Sequence, residues 1–141
     1  MGGDAEKHAG GGRSVNLNQV TVEVSDIPRA RAFYQRLGLA LIVSSDHYAR
    51  FLCPGGATFS IHRADQAAPG RTAVYFECAD LDDRVAALKA AGVAFDSDPV
   101  DQPWLWREAW LRDPDGNRLC LYLAGENRVN PPWRVVDAAL P

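Results

Sequence analysis

A histidine and a carboxylate that face the same space can move a proton beside a carbonyl, and His62 with Glu77 is the pair here that both alternate with apolar neighbours. The same two side chains, joined by Gln19, could instead hold a divalent ion, provided their donors converge on one point. Plainer roles are open to each. His62 can bond Tyr75 or Tyr122 and only shape a cavity, and Glu77 can pair with Arg118 or Arg71. Cys120 would be a nucleophile if a basic neighbour lowered its pKa; none adjoins it in sequence, so a small, soft lining residue is the simpler reading. Trp104, Trp106 and Trp110 form a local concentration of aromatic surface that can stack on a planar ligand or serve as a core or subunit contact. Arg107 and Glu108, set among them, read as water-facing, and His47 as a solvated residue at a strand end.

These residues need elements to position them. Val20, Val22 and Val24 alternate with Gln19, Thr21 and Glu23, the pattern of a half-buried strand. Asp26 then offers a helix cap, Pro28 a first-turn proline, Ala30, Phe33, Tyr34 and Leu37 a helical face, and Gly38 a stop. The arrangement recurs. Val74, Phe76 and Cys78 alternate with Ala73, Tyr75 and Glu77, Asp80 is placed to cap, Leu81, Val85 and Leu88 mark a helix face, and Gly92 ends it. Asp26 and Asp80 lie 54 positions apart, as do Gly38 and Gly92, and Glu23 and Glu77. A shared strand, cap and stop is an internal repeat.

Farther along, Cys53-Pro54-Gly55-Gly56 precedes the strand Thr58 to His62, and Asp113-Pro114-Asp115-Gly116 precedes Arg118 to Tyr122, now 60 positions apart. The second copy therefore carries about six extra residues, which fall between Asp96 and Trp106 and form a candidate pocket rim. The boundaries that follow are a flexible N-terminal arm over 1–14, a single domain over 15–124 (module one 15–64, linker 65–72, module two 73–124), and a tail over 125–141. That tail, with Pro131, Pro132 and Trp133, is expected to be tied down on the domain or on a partner.

Each sheet has an apolar face that its own helix can cover and a mixed face: Gln19, Thr21, Glu23, Thr58, Ser60 and His62 in module one, and Ala73, Tyr75, Glu77, Arg118, Cys120 and Tyr122 in module two. Too polar for a dry core and too apolar for open water, the two mixed faces are expected to meet around a ligand cavity.

Composition limits what such a protein does. The formal net charge of -3 and pI near 5.5, with no Lys/Arg run, point away from nucleic acid. No apolar stretch approaches the roughly 20 residues of a membrane span, and the first residues do not resemble a signal peptide. Three widely spaced cysteines with no CxxC pair suit reduced thiols, and the expected location is cytoplasmic.

The repeated order, with Asn18-Gln19-Val20-Thr21-Val22-Glu23-Val24-Ser25-Asp26, Ala32-Phe33-Tyr34, Leu37-Gly38-Leu39 and Asp113-Pro114-Asp115-Gly116-Asn117, resembles the vicinal-oxygen-chelate superfamily. That superfamily includes glyoxalase I, bleomycin-resistance proteins, fosfomycin-resistance enzymes and extradiol dioxygenases. The resemblance spans about Val15 to Leu123 and implies an α+β fold: two tandem βαβββ modules forming a cupped, partly open barrel-like sheet with helices outside, in a homodimer. It also implies a divalent metal held by the first strand of each copy and the last strand, positions that fall here on Gln19, Ala73 and Cys120, with Ser60 as the first-copy counterpart of Cys120. A methyl group, a thiol and a hydroxyl are a poor set for a hard ion, so no metal cofactor is expected.

Two functions therefore stand open. In the first the protein binds a small aromatic or amphipathic molecule through Gln19, Thr21, Ser60, His62, Tyr75, Trp104, Trp106, Cys120 and Tyr122, without chemistry. In the second it is a glyoxalase- or dioxygenase-type enzyme using a His62/Glu77 acid–base pair, or a displaced metal on Gln19, His62 and Glu77.

Overall fold

The computed structural model describes residues 16–135, so the expected N-terminal arm and the last six residues lie outside the described residues. Strand β1 (Gln19–Val24) turns its valines inward, and Val24 is fully buried. Helix α1 (Ile27–Leu37) starts as expected: the Asp26 carboxylate accepts the Arg29 N–H at 2.9 Å, and Pro28 sits in the first turn. Its apolar face buries Ile27, Ala30, Tyr34 and Leu37. Strands β2 (Ala40–Ser44), β3 (Tyr48–Leu52) and β4 (Thr58–Arg63) complete the first sheet, ordered β1-β4-β3-β2 with β1 and β4 parallel.

The second module repeats this with β5 (Ala73–Glu77), α2 (Leu81–Ala90), β6 (Val100–Asp101), β7 (Arg107–Arg112) and β8 (Arg118–Leu123), ordered β5-β8-β7-β6. The helix stops match bond for bond. Gly38 and Gly92 take left-handed φ values of 109° and 94° and donate to Gln35 and Lys89, while Leu39 and Val93 donate to Tyr34 and Leu88. The starts differ. Asp80, expected as a cap, makes no side-chain cap bond; its carboxylate lies instead 3.7 Å from Arg84, one turn on.

The architecture is α+β, two βαβββ modules whose sheets stay separate and do not close into a barrel. The faces that meet are not the mixed ones. One core gathers Val24, Tyr34, Phe51 and Phe59 of module one with Leu81, Val85, Leu111 and Leu119 of module two, and the Phe59 and Phe76 rings touch at 5.4 Å between centroids. A helix of ten or eleven residues covers only part of a four-stranded sheet, so the uncovered apolar strips of the two modules bury each other. Among the described residues no hydrogen bond or ring contact joins one mixed face to the other.

A polar lock fastens this junction on one side. Tyr34 donates to Asp113 Oδ2 at 2.7 Å, Ser25 donates to Asp115 Oδ1 from its backbone N–H at 3.0 Å and its hydroxyl at 2.6 Å, and the Asn117 amide reaches both Asp113 and the Glu23 carbonyl. The DPDGN turn thus ties module two to the β1–α1 corner of module one.

Candidate functional site

The longer second copy shows itself as a longer hairpin. Its tip is the turn from Gln102 to Trp106, closed by Gln102 donating to Trp106 and Leu105 donating to Gln102. Leu105, between Trp104 and Trp106, has φ 67°, a left-handed conformation that costs an L-residue about 1–2 kcal/mol.

Trp106, Glu108 and Trp110 share strand parity, and register places Glu108 opposite Tyr122 and Trp110 opposite Cys120. Glu108 is buried at 3% exposure rather than facing water, its two oxygens accepting the indole N–H groups of Trp104 at 2.9 Å and Trp110 at 3.1 Å. Tyr75 stands edge-on to Trp106, Trp110 and Tyr122 with centroids 5.4–5.8 Å away, and Trp106 stacks on Tyr122 at 4.8 Å. The Arg118 guanidinium lies over Trp110 at 4.6 Å. The result is an aromatic wall in which Tyr75 and Trp104 remain 42% and 45% exposed. Burial and the Glu108 carboxylate push the Tyr75 phenol above its ordinary range. Arg107, also read as water-facing, bonds Asp82 through two nitrogens at 2.9 and 3.1 Å and Asp101 at 3.1 Å.

The mixed face of module one is polar. Tyr48 and Ser60 hydroxyls lie 2.6 Å apart, Arg50 Nε donates to the Tyr48 oxygen at 2.8 Å, and Thr58 donates to Gln19 Oε1 at 2.9 Å. Burial would raise the Tyr48 phenol, but hydrogen bonds from Ser60 and Arg50, the Arg50 charge and a hydrogen bond from Gln19 outweigh it and hold it below the usual range. Thr21 is exposed beside Gln19.

The structure gathers Tyr75, Trp104, Trp106, Cys120 and Tyr122 into one wall and Gln19 and Ser60 into another. His62 and Glu77 stand on different sheets, with no bond between them. His62 is exposed at the end of β4, next to Tyr48 and Glu23 in register. Glu77 Oε2 accepts the Ala124 and Gly125 N–H groups at 2.8 Å each, and Oε1 lies 3.9 Å from Arg128, in place of Arg118 or Arg71. Glu77 thereby anchors the short helical turn Gly125–Arg128, which Trp106 also holds by donating to the Asn127 carbonyl. Trp133 is 58% exposed on this chain.

Cys120 is fully buried, and burial followed by the Glu108 carboxylate pushes its thiol up to about 12, which keeps it protonated and unsuited to nucleophilic attack at neutral pH. Ala73 has no donor, the Ser60 hydroxyl is committed to Tyr48, and the Gln19 carbonyl to Thr58. The residues at the positions implied for a divalent ion therefore do not fit one. Among the described residues, no three His, Cys, Asp or Glu side chains are placed to share an ion.

Sequence reasoning missed Glu108, Tyr48 and Arg50. Glu108 was legible, because it lies two residues from both Trp106 and Trp110 and must share their face. Tyr48 was legible as its counterpart, 60 positions earlier.

Paired βαβββ modules, each with a helix on one sheet face and a mixed side on the other, define the architecture as α+β. Residues 16–121 match the model of the Glyoxalase/Bleomycin resistance protein/Dioxygenase superfamily, and the chain belongs to that family. Solved structures agree on the fold. A member of this superfamily from Sphaerobacter thermophilus DSM 20745 is 25% identical with a TM-score of 0.67, covering 79% of this chain and 98% of its own. A lactoylglutathione lyase from Agrobacterium tumefaciens is 19% identical (TM-score 0.68; 79% and 96% covered), and a bleomycin-binding protein complexed with bleomycin is 21% identical (TM-score 0.64; 78% and 98% covered). No curated protein matches the sequence.

Proposed function

We propose that this protein binds a small aromatic or amphipathic molecule against the mixed face of its second module, without a divalent metal. The observation that carries the reading is the wall around Glu108: Tyr75 and Trp104 keep nearly half of their surface exposed although their neighbours hold them in fixed orientations. Rigid, exposed rings beside a buried carboxylate offer stacking surface at little cost in side-chain entropy. The expected cavity between two facing mixed sides gives way to an open face, which a second copy of the chain is in a position to cover. This chain shares its fold with a bleomycin-binding protein complexed with bleomycin, and the ligand of this chain is proposed from its own residues.

Titration of tryptophan fluorescence with 2-naphthol tests the reading. Saturable quenching is expected, weakened about tenfold by Tyr75→Ala and by Trp104→Ala, the scale of one lost aromatic contact with its buried area. Quenching indifferent to both substitutions would refute it. Metal analysis of purified protein tests the other half, and stoichiometric metal that disappears in His62→Ala would overturn the metal-free reading.

A further inference from the structure

An internal repeat implies two equivalent junctions, each joining the turn before the last strand of one module to the strand–helix corner of the other. The first is the polar lock of Asp113, Asp115 and Asn117 on Tyr34, Ser25 and the Glu23 carbonyl. At the second, the repeat offsets replace Asp113, Asp115 and Asn117 with Cys53, Gly55 and Ala57, and Ser25 and Tyr34 with Ala79 and Leu88. No carboxylate, amide or hydroxyl is left among them to make the lock.

In its place lies a cavity of about 510 Å³ between the two modules, within the roughly 300–1,000 Å³ of small-molecule sites. Cys53, Pro54 and Ala57 line it from the turn, and Phe76, Cys78 and Arg84 from the second module. Its wall is largely apolar, with Arg84 as the one cationic residue among the described residues that line it, and Glu77, whose carboxylate is already held by the Ala124 and Gly125 N–H groups, as the one acidic residue.

Arg84 stands where the locked junction has Ala30. Its Nη2 lies 3.7 Å from Asp80, in a pair 41% and 55% exposed that competes weakly with a ligand. Its Nε is buried and has no hydrogen-bond partner. A side chain at position 38 would come within 3.0 Å of Nη1, so Gly38 makes room for the guanidinium as well as ending α1. A purely apolar occupant would leave the orphaned N–H unpaired, and a cation would be repelled. An anion with an apolar body meets both demands.

We propose that this second junction is a binding site for an amphipathic organic carboxylate, its head group on Arg84 and its apolar body between the Cys53–Ala57 turn and Phe76. The site borders the aromatic wall, with Tyr75 lining both, and is distinguished from it by Arg84. Calorimetric titration of the full chain with decanoate, using uncharged decanol as the comparison, tests it. Decanoate is expected to bind one to one, and about tenfold or more tighter than decanol; Arg84→Leu should remove that difference, the scale of one hydrogen bond to a charged group. Bound decanoate should also slow alkylation of Cys53 and Cys78 by iodoacetamide in the unsubstituted protein. If Arg84→Leu fails to fold, Arg84→Gln makes the same comparison. Absence of saturable binding, decanoate affinity unchanged by loss of the charge, or alkylation indifferent to decanoate would each overturn the proposal.

Discussion

Tyr48 and Glu108 occupy equivalent places in the two repeats and do opposite things to their neighbours. Glu108 is an acceptor that organises two indole donors and helps keep Cys120 and Tyr75 protonated. Tyr48 is surrounded by donors, which favour its phenolate. Ultraviolet titration should therefore show one phenol ionising below the ordinary tyrosine range, and Tyr48→Phe or Arg50→Leu should abolish that early step while leaving the later ones. A titration with no early step in the unsubstituted protein would contradict the geometry. A local charge balance of this kind could be read from sequence only in part. Glu108 reads as water-facing in the sequence although it shares parity with Trp106 and Trp110, and that its oxygens would be covered depended on the hairpin tip folding Trp104 back onto it.

At the scale of elements, the lock between the DPDGN turn and the β1–α1 corner does most to fix one module on the other. Tyr34 is fully buried and Asp113 nearly so, so Tyr34→Phe leaves Asp113 Oδ2 with the Asn117 amide as its remaining donor in a dry place. A loss of about 1–3 kcal/mol is expected in urea unfolding. The pH dependence has a definite sign. Burial first and the Asp113 charge second raise the Tyr34 phenol in the folded chain, whereas the unfolded chain ionises it near the ordinary value of about 10. The unfolded state thus binds fewer protons above that pH, and stability, constant in this respect below about pH 10, falls as pH rises beyond it. Tyr34→Phe should flatten that alkaline decline; an unchanged slope would show that the lock is not its source. The motif was visible in the sequence, where it read as a hairpin turn. Its second role, reaching across 79 to 94 positions to the other module, was not.

For the whole molecule, the outward direction of both mixed faces matters most. Two sheets that turn their aromatic and polar sides away from the shared core, with Trp133 58%, Val135 72% and Leu17 83% exposed, leave apolar surface that a monomer gains nothing by showing to water. We propose a homodimer, with the 125–135 segment contributing to the contact. Sedimentation at micromolar concentration should give twice the monomer mass. Deletion from Asn130 onward should shift it towards monomer or lower its stability, and a clean monomer for the intact chain would refute the assembly.

The sequence by itself determined the repeat, the helix stops, the strand faces and the family, because each rests on local rules: alternation, capping and the backbone freedom of glycine at a left-handed position. Even the mismatch with a hard metal ion was present in the identities of Gln19, Ala73, Ser60 and Cys120. Only the tertiary structure decided which faces of the two modules meet, that His62 and Glu77 stand apart, and that the two junctions of the repeat differ, one locked and one hollow. The physical reason is the same in each case. Periodicity states which side of a strand is apolar, but how much of that side its own helix covers, and therefore what remains to be buried against the other module, is settled only when side-chain volumes are packed together.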